Sequence, residues 1–317
     1  MKPAQELRPL DIWYLNDQVV CNFDCNYCVT KDYRETNQGK MWETPESPSR
    51  FRKILQWIAR QPYRIRIRSQ TQGEPLLSKE FLDGVAWLTH QPNVEFVEFL
   101  TNGSLLKGKN FSTFSRDADI SKVSLWVSYH AGQISAEELT DLAKYAGDVG
   151  AHVVAHSILF PENEAQMLEF LNLCRAKGIK SAFTLGRNTN GMYPKKGAFP
   201  ILESSPETVK QFLNSPWTVM ALSDSIQPKG KLCGAGNGYI FIRPNGDIYP
   251  CAAYSGQELA KMGSALDDDF RLTVDPKKSA PCLSKFCSGC AEDYFHLASF
   301  REKVDMGQSL TYINPQD

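Results

Sequence analysis

The chain has 317 residues, 42% of them apolar and 22% charged, which excludes a disordered, collagen-like or coiled-coil chain and, at about 150 residues per domain, fits two domains or one with an appendage. Its 35 basic residues against 36 acidic ones leave a formal charge of -1, so a dedicated nucleic-acid partner, which needs clustered positive charge, is not expected. The opening MKPAQELRPLDIWYL has no apolar signal region and no later stretch has the roughly 18 uninterrupted apolar residues of a membrane span, so a soluble, cytoplasmic protein with no membrane partner is expected.

Short β-branched runs alternate with longer amphipathic ones, the mark of βα units. LDIWYL (Leu10 to Leu15) reads as the first strand and leads into a cysteine-rich loop. Ser49 is placed to cap a helix whose stripe Phe51, Ile54, Leu55 and Ile58 has the spacing of one buried face. A strand at Tyr63 to Ser69, a helix near Phe81 to Leu88 and strands at Val94 to Leu100 and Val123 to Ser128 follow. Ser135 and Glu138 form a capping box for the next helix. Val153 to Phe160 and Ser181 to Leu185 complete about six repeats, two short of a full eightfold barrel. The expected fold is α/β: a partial (β/α)6 barrel of parallel strands over residues 1–218, with an appended part over 219–317. Past Leu185 the periodicity fails, apart from a helix expected near Pro206 to Leu213. Asn245-Gly246, between two alternating apolar runs, signals a hairpin.

In parallel arrays the chemistry gathers at the carboxyl ends of the strands. Cys21, Cys25 and Cys28 lie directly after the first strand. In a compartment that keeps thiols reduced, this spacing reads as a metal site rather than a disulfide framework. Three thiolates suit a 4Fe-4S cluster with one iron left open, whereas a structural zinc site would normally close all four positions.

The triplet, with aromatic Tyr27 before its last cysteine, resembles the CxxxCxΦC hallmark of the radical S-adenosylmethionine superfamily. The resemblance implies S-adenosylmethionine chelated to the open iron, its reductive cleavage by an electron from a partner such as flavodoxin or ferredoxin, and hydrogen abstraction from a substrate C–H bond by the 5′-deoxyadenosyl radical. Gln72-Gly73-Glu74-Pro75 looks like the family's GGEP segment with Gln72 in place of the first glycine. Gly73 and Glu74 would hold the methionine ammonium, and Thr101-Asn102-Gly103 matches a frequent family turn. Ser128 is a ribose candidate, against a plain strand-end hydroxyl.

Cys233, Gly246 and Cys251, followed by the pair Cys287 and Cys290, resemble the C-x(9–15)-G-x4-C element and CxxC of the twitch and SPASM appendages, here the shorter twitch, a β-hairpin plus helix. These four cysteines would hold a second, auxiliary 4Fe-4S cluster, with a zinc ribbon as the competing explanation. Cys282 is surplus: a further ligand, an inert thiol, or a hydrogen-atom donor to a substrate radical. Cys174, on the stripe Met167, Phe170, Leu171, Cys174, reads as packing.

Arg64, Arg66 and Arg68 share one strand face, so Arg66 and Arg68 are either contacts for an anionic substrate group or members of internal ion pairs. His152 and His156 read as satisfied polar residues near the core. Only about ten residues precede the first strand, which favours a small polar, sugar-like or aminocyclitol-like substrate over a ribosomal peptide recognised through an N-terminal leader-binding domain. Epimerisation with Cys282 as hydrogen-atom donor is the expected outcome, with dehydrogenation using the auxiliary cluster as electron acceptor, peptide modification and a non-catalytic metal module as alternatives.

Overall fold

The computed structural model describes residues 9–185 and 232–283, together with Phe212, Lys229 and Gly230. Six strands, β1 (Leu10–Leu15), β2 (Ile65–Gln70), β3 (Val94–Thr101), β4 (Val123–Tyr129), β5 (His152–Leu159) and β6 (Lys180–Leu185), pair in sequence order. Every one of these pairings is parallel. The helices between them are α1 (Lys31–Thr36), α2 (Ser47–Ala59), α3 (Lys79–Thr89), α4 (Lys109–Asp117), α5 (Ala136–Asp148) and α6 (Glu164–Ala176). The partial parallel α/β barrel expected from the sequence is the fold observed.

Alternation along each strand divides the sheet into two chemistries. Ile12, Tyr14, Ile65, Ile67, Val97, Phe99, Leu125, Val127 and Phe183 join the helices in one continuous core, with Phe81 edge-on to Phe99 at 5.5 Å. Cys174 is fully buried there, and burial pushes its thiol up to about 12. The other, inner face carries Asp11, Arg66, Arg68, Glu98, Ser124 and Trp126, all brought together by register.

Helix α2 begins two residues before Ser49. Pro48 lies in its first turn, where a missing N–H costs nothing, and Ser47 Oγ instead bonds Asp17 at 2.6 Å. Ser135 caps α5 as expected, accepting from the Glu138 amide at 3.1 Å. Helix α4, which the sequence reading did not name, buries Phe111 and Phe114 at i, i+3 spacing.

The later segment extends the same sheet. Strand β8 (Tyr239–Ile242) runs parallel to β1, with Asp11 opposite Tyr239 and Tyr14 opposite Ile242. It turns at Asn245-Gly246 into antiparallel β9 (Asp247–Tyr249), which pairs with β10 (Gly263–Ser264). Gly246 has φ +86, and a Cβ there would lie 2.7 Å from Leu266 Cγ, so the hairpin needs glycine. The sheet order is β10-β9-β8-β1-β2-β3-β4-β5-β6. Ile240, Ile242, Ile248, Ala265 and Leu272 belong to the barrel's own core. A separate two-stranded sheet pairs β7 (Leu232–Cys233) with β11 (Ala280–Pro281). The helix expected near Pro206 lies outside the described residues, apart from Phe212. The helix expected to accompany the hairpin is represented among the described residues only by the single turns Ala252–Tyr254 and Glu258–Ala260.

Candidate active site

The loop after β1 carries Cys21, Cys25 and Cys28, and its polar groups tie it to the ends of β2, β3 and β4. Val20 accepts from the Glu74 amide at 2.7 Å and Gln18 from the Gln72 amide at 2.9 Å. The two segments lie so close that a Cβ at Gly73 would sit 2.0 Å from the Val20 carbonyl oxygen. Glycine is required there by approach rather than by dihedral angle. Gln72, standing where the family pattern has another glycine, is fitted in the same ladder, its carbonyl accepting from Thr30 Oγ1 at 2.8 Å. Asn102 Nδ2 donates to Asn22 Oδ1 at 2.9 Å and approaches Cys21 Sγ at 3.9 Å, while Asn22 Nδ2 donates to Ser104 Oγ at 2.9 Å.

Glu74 is turned inward. Its carboxylate is 1% exposed and accepts from Thr101 Oγ1 at 2.7 Å, the Asn102 amide at 2.7 Å and the Leu76 amide at 3.1 Å. Burial outweighs those three donors and raises its pKa to about 7. The residue expected to face an ammonium therefore fastens the end of β2 to the end of β3.

The thiols share one electrostatic environment. Burial, then the neighbouring Cys28 and Cys21, push Cys25 up to about 11, and burial also raises Cys21, while the Arg34 guanidinium pulls both down. Arg34 Nη1 donates to the Phe23 carbonyl inside the loop at 3.2 Å. Among the described residues no three His, Cys, Asp or Glu side chains converge on a point where a single metal ion would sit. A cluster takes one thiolate per iron, so its ligands need not converge. Three soft thiols on one loop, with Phe23 N–H donating to Cys21 Sγ at 3.5 Å and Thr30 Oγ1 bonded to Cys28 Sγ at 3.2 Å, fit that donor set.

Tyr27 shares a hydrogen bond of 3.0 Å with His130 Nδ1, and the two rings stack with centroids 5.9 Å apart. Burial raises the Tyr27 phenol and lowers His130 to about 4, so both are neutral near pH 7. Ser128 lies on the inner face of β4 opposite His156, whose ring lies 4.8 Å from that of Trp126.

The inner-face arginines have carboxylate partners. Arg66 holds Asp11 through two bonds of 2.7 and 2.8 Å, and Arg68 holds Glu98 at 2.8 Å while Ser124 Oγ donates to the same carboxylate at 2.9 Å. Of the two explanations open for Arg66 and Arg68, internal ion pairing is what the structure contains, because each guanidinium meets an acid from the next strand. Arg64 pairs with Glu95. His152 Nε2 meets the Ser121 carbonyl at 3.0 Å.

The sequence profile of the radical SAM superfamily matches residues 15–174, half of the chain. The chain belongs to that superfamily. It is 29% identical over 196 residues to a GTP 3′,8-cyclase of Aeromonas hydrophila, covering 58% of this chain and 56% of the relative. It is 26% identical over 176 residues to that of Staphylococcus haemolyticus, covering 51% and 50%. The chain thus matches about half the length of these relatives. Among solved structures, native anSMEcpe with bound AdoMet superposes with TM-score 0.53 at 15% identity, over 82% of this chain and 79% of that one. The same protein with AdoMet and the Kp18Cys peptide gives 0.50 at 14% identity, over 93% and 82%. These likenesses concern the fold. Membership in the superfamily implies S-adenosylmethionine and a 4Fe-4S cluster as cofactors, and the Cys21, Cys25, Cys28 loop is where this chain fits the cluster.

The backbone around Cys233 and Cys251 meets β1 near its amino-terminal end, and the Cys251 side chain packs in one group with Trp13 and Leu15. The Asp11 amide donates to the Gly238 carbonyl at 3.0 Å, and Gly236 N–H reaches the Pro250 carbonyl at 3.1 Å. Both bonds mark the amino-terminal end of the strand. Cys282 is two residues past Ala280, the partner of Cys233 across the β7–β11 sheet. Cys287 and Cys290 lie outside the described residues. Sequence reading missed Asn22, Ser104 and Gln133, and gave Thr101 no role beyond its turn. Asn22 inside the triplet and Ser104 after the TNG turn carried the only local signal.

Proposed function

We propose that this chain is a radical S-adenosylmethionine enzyme of the twitch type, with residues 1–218 as barrel and 219–317 as auxiliary-cluster part, that oxidises a small polar substrate. The single observation that carries the reading is the Cys21, Cys25, Cys28 loop fastened by Asn22, Asn102 and Glu74 to the ends of β2 and β3. When bound, the cluster and S-adenosylmethionine would supply hydrogen-atom abstraction from a substrate C–H bond, and the oxidation would be completed by loss of a proton to solvent and of one electron to the auxiliary cluster. The chain's residues supply thiolate ligands and a braced loop. Gly73 leaves room for close backbone approach, and Ser128 is offered from β4 toward the cofactor ribose.

Oxidation is favoured over epimerisation by the position of the surplus thiol. About 13 Å of strand, from Asp11 to Leu15, separates the end of β1 met by the backbone around Cys233 and Cys251 from the end that leads into Cys21. Cys282 keeps company with the first pair, which is poor placement for a hydrogen-atom donor at the second. A flavodoxin or ferredoxin is the proposed electron donor. Cyclisation of a purine nucleotide, as the names of the sequence relatives suggest, is the second reading.

The reconstituted protein, reduced anaerobically with a low-potential donor, is expected to convert S-adenosylmethionine to methionine and 5′-deoxyadenosine, and Cys25→Ala to abolish this. Wild type holding stoichiometric zinc without iron, and inert toward S-adenosylmethionine, refutes the reading.

A further inference from the structure

The strands that flank Cys233 and Cys282 do not belong to the barrel. Cys233 ends β7, whose partner β11 leads into Cys282, so the two-stranded sheet holds these thiols on adjacent strands. The backbone of Cys282 is fixed from the other side as well, its carbonyl accepting from Gly230 N–H at 2.7 Å and the residue bridging to Lys229.

Tyr254 links this pair to Cys251. Its amide donates to the Cys251 carbonyl at 3.1 Å, closing one turn of helix. Its phenol lies beside the backbone of Leu283, the residue after Cys282. One side chain therefore spans the distance between the two cysteine segments. All three thiols are half-buried, reachable by a ligand yet partly shielded from water. On the barrel side Cys251 and Tyr254 pack against the aromatic group of Trp13, Tyr239, Phe241 and Tyr249. Trp13 itself lies on the inner face of β1.

From the two-stranded sheet and the Tyr254 bridge we infer that Cys282 is a metal ligand, forming with Cys233 and Cys251 three thiolates of an iron–sulfur cluster beside β1. The assignment rests on the auxiliary-cluster part of the proposed function and changes its ligand set. Cys282 is neither surplus nor a hydrogen-atom donor. Three thiolates and one further ligand complete a four-iron cluster, and binding releases the thiol protons.

The test uses the full chain with Cys21, Cys25 and Cys28 all changed to Ala, reconstituted anaerobically with iron and sulfide. This protein is expected to keep about four irons and matching sulfide. Adding Cys282→Ala is expected to remove at least half of both and to change the electron paramagnetic resonance spectrum of the reduced centre, while adding Cys174→Ala does neither. An independent measurement needs no further variant: iodoacetamide should label Cys282 several-fold less in the loaded protein than after chelation of its iron. Equal labelling in both states, or unchanged iron, sulfide and spectrum with Cys282→Ala, overturns the assignment while leaving an auxiliary cluster in place. Absence of iron, or zinc in its place, in the triple variant overturns the auxiliary cluster itself and this inference with it.

Discussion

The two cysteine groups differ in how they are held. The first is woven into the sheet: Asn22 to Ser104 and Asn102, Thr30 to Gln72, and Asp24 to Gln133 join residues 42 to 109 positions apart. The second hangs on β7 and β11, each two residues long, and on the phenol of Tyr254. A loop held at many points is shaped before its cluster arrives, whereas a group held at few points gains much of its order from the cluster. A centre that must chelate an exogenous cofactor requires the first arrangement. A closed centre tolerates the second.

The largest expected effect comes from Gly73→Ala. The new Cβ meets backbone, not a movable side chain, at 2.0 Å from the Val20 oxygen. Urea unfolding of the cluster-free protein should show a loss on the order of 4 kcal/mol, and iron at the first site should fall with it. A variant as stable as wild type would mean that the segments are not held in contact.

Next comes the pH dependence set by Glu74. Its folded pKa is about 7 against an ordinary value of 4.5, so between these values the folded state binds more protons than the unfolded one. Unfolding free energy therefore falls as pH rises through that window, by about 3 kcal/mol in all for the cluster-free protein. Glu74→Gln should flatten this slope, as read from urea midpoints at pH 5 and pH 8. Parallel profiles for the two proteins would remove the buried carboxylate from the account.

The smallest effect separates the two groups most cleanly. Asn22→Ala removes hydrogen bonds to Ser104 and Asn102 and should lower cluster-free stability by about 1 kcal/mol. Tyr254→Phe, which loses only a hydroxyl beside Leu283, should leave the thermal midpoint of the cluster-free protein within error of wild type. Equal losses from both would show that the C-terminal group is as firmly preformed as the first.

What the sequence displayed was whatever one segment carries alone. The six parallel strands, the buried stripe of α6 and the Asn245-Gly246 hairpin all follow from local period or turn chemistry. The cysteine triplet announced itself because its ligands are adjacent in sequence. Partnerships across strands stayed hidden. Arg66 and Arg68 left two explanations open because their partners Asp11 and Glu98 lie on β1 and β3, where single acids in apolar runs say nothing about register. The bracing role of Glu74 was invisible because its three donors, from Thr101, Asn102 and Leu76, assemble only in the folded turn. The four-residue strand β8 could not be seen as a neighbour of β1 for the same reason.

That pairing has a consequence for how the chain is made. Strand β1 ends at Leu15 and its partner β8 begins at Tyr239, so at about 5–20 residues per second the ribosome leaves one margin of β1 without its partner for roughly ten to forty-five seconds. An apolar LDIWYL segment with a bare margin is a template for joining another nascent chain. Asp11, whose carboxylate faces inward to Arg66 in the finished molecule, puts a charge into that segment throughout the wait. The residue that completes an ion pair at the end of folding thereby serves as a gatekeeper against aggregation before it.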